Sequence, residues 1–165
     1  MSVSRELTFF DLMVLERIDR ETYVERFGSK INASFFDAAN VLGTMKLKGY
    51  INIQSSPGLS PVSCTPDGLD ILQAAAAKAK EEVDALDVSI TRKISSGAKD
   101  PAALAAELNL RSGDLAYRLY KLVRKGLIDY ELRATKVSVM MTESGFVKVN
   151  GEPEPNYAEV AKAIQ

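Results

Sequence analysis

Apolar residues recur along this chain with two different periods, and the switches between them lay out its elements. From residue 7 to 19, Leu7, Phe10, Met13 or Val14 and Ile18 fall at helical spacing, and Thr8 stands where a hydroxyl can cap the first turn ahead of acidic Asp11. A first helix is predicted here. A shorter helical segment follows, with Tyr23, Val24 and Phe27 on one side and Gly28 as a stop. Ala33 to Lys48 predicts a longer helix, with Ala38, Leu42 and Met45 inward and Gly49 ending it. Tyr50 to Ser55 and Val62 to Thr65 are short β-rich runs, and the SSPGLSP between them carries the proline, glycine and serine of a hairpin loop.

Between residues 67 and 94, Leu69, Leu72, Ala76, Ala79, Val83, Leu86 and Ile90 follow steps of three and four among strong helix formers. This predicts one long helix, or two nearly continuous ones broken near Asp87. Its seam packs either on the rest of the chain or against a second subunit. A helix around Val88 to Ser96 leads through GAKD to PAALAAEL, where Pro101 suits a first helical position. The turn NLRS then joins a helix over 112–125, with Ser112 as its expected N-cap and Leu115, Leu119 and Leu122 as its inward face. Gly126 stops it. Leu127 to Leu132, the turn RATK, and Val137 to Thr142 form a hairpin. Beyond Gly151, EPEPN reads as a linker and YAEVAKAIQ as a short amphipathic helix bearing Tyr157, Val160, Ala161 and Ile164.

The pattern repeats. Shifted by 77 residues, Leu42, Met45, Gly49 and Ile51 fall on Leu119, Leu122, Gly126 and Ile128, while Thr65 and Gly68 fall on Thr142 and Gly145. An offset held at both ends of a loop marks two copies of one unit. The expected organisation is a first unit over 1–66, a connecting helix over 67–86, a second unit over 87–149, and a linker with a short helix over 150–165.

Composition narrows the chemistry. At 165 residues and 46% hydrophobic content the chain is long enough for two small cores, and a net charge of -1 gives no global attraction to nucleic acid. The chain contains no histidine and one cysteine, Cys64. That removes Ser-His and Cys-His nucleophiles, imidazole acid-base work and the common zinc tetrads, so no catalytic residue, metal or cofactor is expected. Cys64 itself is expected to be a small core residue, having no basic neighbour to make it reactive. No twenty-residue apolar run and no signal-peptide pattern stands in the sequence, and a cytoplasmic location without membrane contact is expected. The acidic run Glu81, Glu82, Asp84 and Asp87 is expected to be a solvated face.

The order helix, helix, turn, recognition helix and two-stranded wing resembles a winged helix-turn-helix domain, present twice. Leu115 through Ile128 resembles the recognition-helix run of transcriptional regulators of the MarR and PadR kinds. Thr142-Glu143-Ser144-Gly145 resembles the Thr-x-x-Gly after their wing, and Thr65-Pro66-Asp67-Gly68 resembles it again. Tyr117 stands where those families carry arginine, and Arg118 occupies the apolar position after it. The resemblance implies a mostly α, α+β fold of two winged helix-turn-helix domains and a DNA-binding transcriptional regulator.

Residues read by helical geometry sharpen that expectation. Around Leu115, Leu119 and Leu122, the outward positions are Gly113, Tyr117, Tyr120, Lys121 and Arg124, flanked by Arg111, Arg118 and Lys125. Between Leu110 and Gly126 five cations oppose Asp114 alone, and Arg133 and Lys136 at the wing tip extend the ridge. Arg111, Ser112, Tyr117, Arg118, Tyr120, Lys121, Arg124, Lys125, Arg133 and Lys136 are therefore the expected contacts to double-stranded DNA. The first copy differs in kind. Its outward positions are Phe36, Asn40, Gly43, Thr44 and Leu47, and no charge occurs from Tyr50 to Thr65. Such a face releases no counterions, so Phe36, Asn40, Thr44 and Leu47 are expected to meet the other domain, a second subunit or a partner. A homodimer through the 67–94 seam or through the first domain fits. The competing expectation is a non-catalytic scaffold, since paired winged helices also build subunits of condensin, of endosomal sorting complexes and of RNA polymerase III.

Overall fold

The computed structural model describes residues 6–97 and 99–151. In chain order it has α1 (Phe9–Glu16), a 3-10 helix (Val24–Lys30), α2 (Phe35–Leu47), β1 (Ile51–Ile53), β2 (Val62–Cys64) and α3 (Pro66–Ala79). There follow α4 (Ala85–Ile94), α5 (Pro101–Leu108), α6 (Ser112–Arg124), β3 (Ile128–Arg133), β4 (Lys136–Met141) and α7 (Glu143–Gly151). The strands pair as two antiparallel hairpins, β1 with β2 and β3 with β4, and Lys99 adds a further antiparallel bridge to Val139 of β4. This is a mostly helical α+β structure of winged-helix type. The predicted helix over 157–165 lies outside the described residues.

The 77-residue offset extends to individual hydrogen bonds. In each hairpin the first strand residue pairs with the last, Ile51 with Cys64 and Ile128 with Met141. The Thr65 hydroxyl donates to the Gly49 carbonyl at 2.7 Å and accepts from the Gly68 amide at 3.0 Å. Thr142 does the same to Gly126 at 2.6 Å and from Gly145 at 3.0 Å. Gly49 and Gly126 both end a helix with positive φ, 86° and 76°, a backbone conformation that L side chains rarely adopt. A Cβ on Gly68 would lie 2.2 Å from the Tyr50 carbonyl oxygen, and one on Gly145 would lie 1.9 Å from that of Leu127. The Thr-x-x-Gly sequence is thus a joint: threonine caps the helix after the wing, and glycine lets that helix close against the chain leaving the recognition helix.

The helical seam between the copies is two helices, not one. Asp84 accepts from the Asp87 amide at 2.9 Å while the Asp87 carboxylate accepts from the Asp84 amide at 3.0 Å, a reciprocal cap that starts α4 afresh. The break therefore lies before Asp87, over residues 80–84. Thr8 and Asp11 cap α1 in the same reciprocal way, both bonds at 3.1 Å. The seam is used inside the chain: α3 packs on α6 and α1, and α4 packs on α5, α7 and β4. Leu69 is the large apolar residue of α3 left exposed.

One core runs through both copies, from Phe9, Leu12 and Leu42 to Leu119, Ile128 and Val139. Burying aliphatic and aromatic side chains at about 25 cal/mol per Å² is what holds the copies together. Polar contacts fix their register. Arg17 donates to the Tyr130 hydroxyl at 2.7 Å, and the Phe9 and Tyr130 rings meet edge to face at 5.8 Å. The Ser112 hydroxyl donates to the Leu7 carbonyl at 2.7 Å. The turn of the second wing is held on the first unit, where the Ala134 amide donates to Ile31 at 3.0 Å and the Asn32 amide group donates to Leu132 at 3.0 Å.

Candidate functional site

In α2 and α6 the chain presents the same thirteen-residue element twice, so their outward stripes can be compared position by position. Phe36, Asn40, Gly43 and Leu47 on α2 correspond to Gly113, Tyr117, Tyr120 and Arg124 on α6. Positions at these spacings share one face of a helix.

On α6 that stripe is packed against the first unit at Gly113 and Tyr120, half-buried at Tyr117 and exposed at Arg124. A Cβ on Gly113 would lie 3.8 Å from the Leu7 carbonyl oxygen, so the start of the helix abuts the chain entering α1. Tyr120 is only 5% exposed and hydrogen bonds to Glu16; burial, with that bond, raises its phenol above the ordinary range. Tyr117 is half-buried and burial raises it too. This corrects the outward placement expected for the stripe. Periodicity marks the leucine face as buried, but here both faces of α6 pack, one on its own unit and one on α1 and α3.

The cations of α6 are also redistributed. Lys121 and Asp87, 1% and 0% exposed as side chains, form a buried ion pair, and the ammonium donates further to the Glu82 carbonyl at 3.2 Å. Arg118 donates to both oxygens of Asp84 at 2.9 Å and to Asp87 at 3.0 Å. Partial burial opposes ionisation of Asp84, but the Asp87 amide and the Arg118 guanidinium outweigh it and hold the carboxyl far below the usual carboxylate range. Arg118 is raised in turn, its own burial being outweighed by the two aspartates. Asp84 and Asp87 are therefore counter-ions of the recognition helix; Asp87 is buried, which corrects the expected solvated face, while Glu81, Glu82 and Asp84 are exposed. Ser112 is the first helical residue rather than the cap: Arg111 holds the N-cap position without a side-chain bond, and the Ser112 hydroxyl is engaged with Leu7.

Of the remaining cations expected to contact DNA, Arg111, Arg124, Lys125, Arg133 and Lys136 are exposed. Those at the wing tip stand among acidic residues. Arg124 lies over the Tyr120 ring at 5.5 Å, and Arg133 pairs with Glu131 at 2.9 Å. Arg133 and Lys136 line an open cleft of about 570 Å³ together with Lys99, Asp100 and Glu131, which mixes both charges.

On α2 the stripe is bare. Phe36 is 77% and Leu47 65% exposed, Asn40 and Thr44 are exposed, and Phe35 stands edge to face with Phe36 at 5.7 Å. The expectation that the other domain covers this face is not met; the second unit reaches only its border. There a pocket of about 220 Å³ is lined by Phe10, Asp11, Asn40, Val41 and Thr44 with Thr135 from the second wing. Its floor carries no free charge, because Asp11 is paired with Lys48 at 2.6 Å and both are buried. A volume of this size takes one large side chain, an anchor rather than a small-molecule ligand.

Among the described residues, no group of three or more metal-ligating side chains converges, and no helix is long and apolar enough to cross a membrane. Cys64 is half-buried at the end of β2, where burial pushes its thiol up.

No family model matches the chain, and no curated protein matches it significantly. Among solved structures the chain is similar to ScpB from Mycobacterium tuberculosis, at 16% identity and a TM-score of 0.33 over 87% of this chain and 96% of that one. A similarity of that degree leaves the functional reading to the chain's own residues.

Proposed function

We propose that this protein is a non-catalytic protein-interaction subunit built from two winged helices. Its second recognition helix serves as internal scaffold, and its first presents the docking surface. The observation that carries this is the exposure of Phe36 and Leu47 on α2, when the equivalent stripe on α6 is packed against the first unit at Gly113 and Tyr120. A stripe that is apolar at both ends and itself carries no charge is suited to protein contact. A transcriptional regulator reading bases through α6, as the MarR and PadR resemblance implies, would first have to pull α6 away from α1 and α3. The buried Lys121–Asp87 pair holds α6 against α4 in the same arrangement.

Two measurements test the reading. Titrating a labelled random duplex at low and physiological salt should give no saturable binding at the higher salt. Tight binding that Arg124→Glu/Lys125→Glu abolishes would overturn the proposal in favour of DNA. A photo-crosslinking residue in place of Phe36 should capture a discrete protein in cells, whereas the same residue in place of exposed Glu107 should not.

A further inference from the structure

The occupant of the α2 stripe follows from three features of the stripe itself; resting on the docking reading above, we infer that it is the same stripe of a second copy of this chain. The first feature is Gly43. It lies inside a helix with ordinary helical φ, and a Cβ built on it meets nothing within 4 Å. Gly68 and Gly145 are glycine because the chain's own backbone approaches them, and Gly49 and Gly126 because of their φ. Gly43 has neither reason within the chain. A helix-interior glycine costs stability relative to alanine, and a second backbone approaching at that point supplies the missing reason.

The second feature is symmetry. Two α2 helices packed antiparallel about a twofold axis between Val41 and Leu42 bring Phe36 of one copy opposite Leu47 of the other. The same axis sets Asn40 opposite Gly43 of its mate. Four of the five stripe positions pair with one another in this single register: a large apolar residue meets a large apolar one, and the amide meets bare backbone. A twofold contact must be self-complementary in this way. The third feature is charge. The stripe Phe36, Asn40, Gly43, Thr44 and Leu47 carries none, so pairing it with itself buries no charge.

Sedimentation equilibrium of the full chain tests the inference up to about 100 µM, a range that populates any dimer with a Kd of tens of micromolar or tighter. The wild type should sediment at twice 18.0 kDa. Phe36→Asp and Leu47→Lys should each sediment as monomers with unchanged circular dichroism. Mixed in equal amounts they should recover the dimer, because the mixed pair keeps one Phe36–Leu47 contact and sets the new carboxylate against the new ammonium. Gly43→Gln should also separate the copies without unfolding them. A monomeric wild type, or a mixture that stays monomeric, overturns the inference. If Phe36 crosslinking captures a different protein while the wild type is monomeric, the docking reading stands and the second copy falls; if neither occurs, both fall.

Discussion

α2 and α6 occupy the same place in their units and have the same length, yet α2 has one packed face and α6 has two. The difference lies in four residues. Where α2 carries Phe36, Asn40, Gly43 and Leu47, α6 carries Gly113, Tyr117, Tyr120 and Arg124. Gly113 lets the chain entering α1 come close, the two tyrosines fill the space beside it, and Lys121 and Arg118 find counter-ions on α4. This chain thus packs the α6 stripe internally and leaves the matching α2 stripe exposed. The lesson is that a basic recognition helix in sequence is not a DNA-reading helix in space until the partners of its cations are known.

Substitutions at matched positions sharpen the contrast. The largest effect is expected at the buried pair. Asp87→Ala leaves the Lys121 ammonium buried without its carboxylate and should cost about 3–5 kcal/mol in chemical denaturation. At Thr44, the α2 counterpart of Lys121, Thr44→Ala should change stability by no more than about 0.5 kcal/mol. Next comes Tyr120→Ala, which empties the contact between units and should cost about 3 kcal/mol, with loss of cooperativity between probes placed in the two units. The counterpart change, Gly43→Ala, should instead raise monomer stability by up to about 1 kcal/mol, since nothing in the chain opposes the added methyl. Destabilisation there would mean that α2 is already covered from within.

The smallest effect is pH-dependent. Because the folded-state pKa of Asp84 is lowered, its contribution is complete above the ordinary carboxylate value near about 4 and is lost as pH falls toward the folded value. Its side chain is half exposed, so solvent screening limits the contribution to less than about 1 kcal/mol. Urea midpoints of the wild type and Asp84→Asn should differ at pH 7 and converge as the pH is lowered through that range.

Local features of this fold were legible in the sequence. The repeat could be read from Gly49, Gly126 and the two Thr-x-x-Gly joints because each of those residues answers a backbone requirement of its own neighbourhood. The outward placement of Phe36 and Leu47 could be read because Ala38, Leu42 and Met45 take the inward face of α2. The burial of the α6 stripe could not. Tyr117 and Tyr120 read as amphipathic, Lys121 and Arg118 read as solvated, and Asp87, which pairs with both cations, lies more than thirty residues away on α4, at a distance that periodicity does not encode. A usable signal did exist in Asp84-Ala-Leu-Asp87, which repeats the reciprocal cap of Thr8 and Asp11. It marks a new helix start and places Asp87 where Asp11 stands, beside a lysine contributed from the recognition helix or its end.

The account rests on one stripe being open and its twin being closed. The most direct measurement compares thiol labelling of Gly43→Cys and Tyr120→Cys in a Cys64→Ser background, in protein dilute enough to be monomeric. The cysteine replacing Gly43 should react as fast as a free thiol, and the one replacing Tyr120 only as fast as the chain unfolds. Equal, rapid labelling of both would contradict the account, because the units would then not be packed through α6 and its cationic helix would be free to meet DNA.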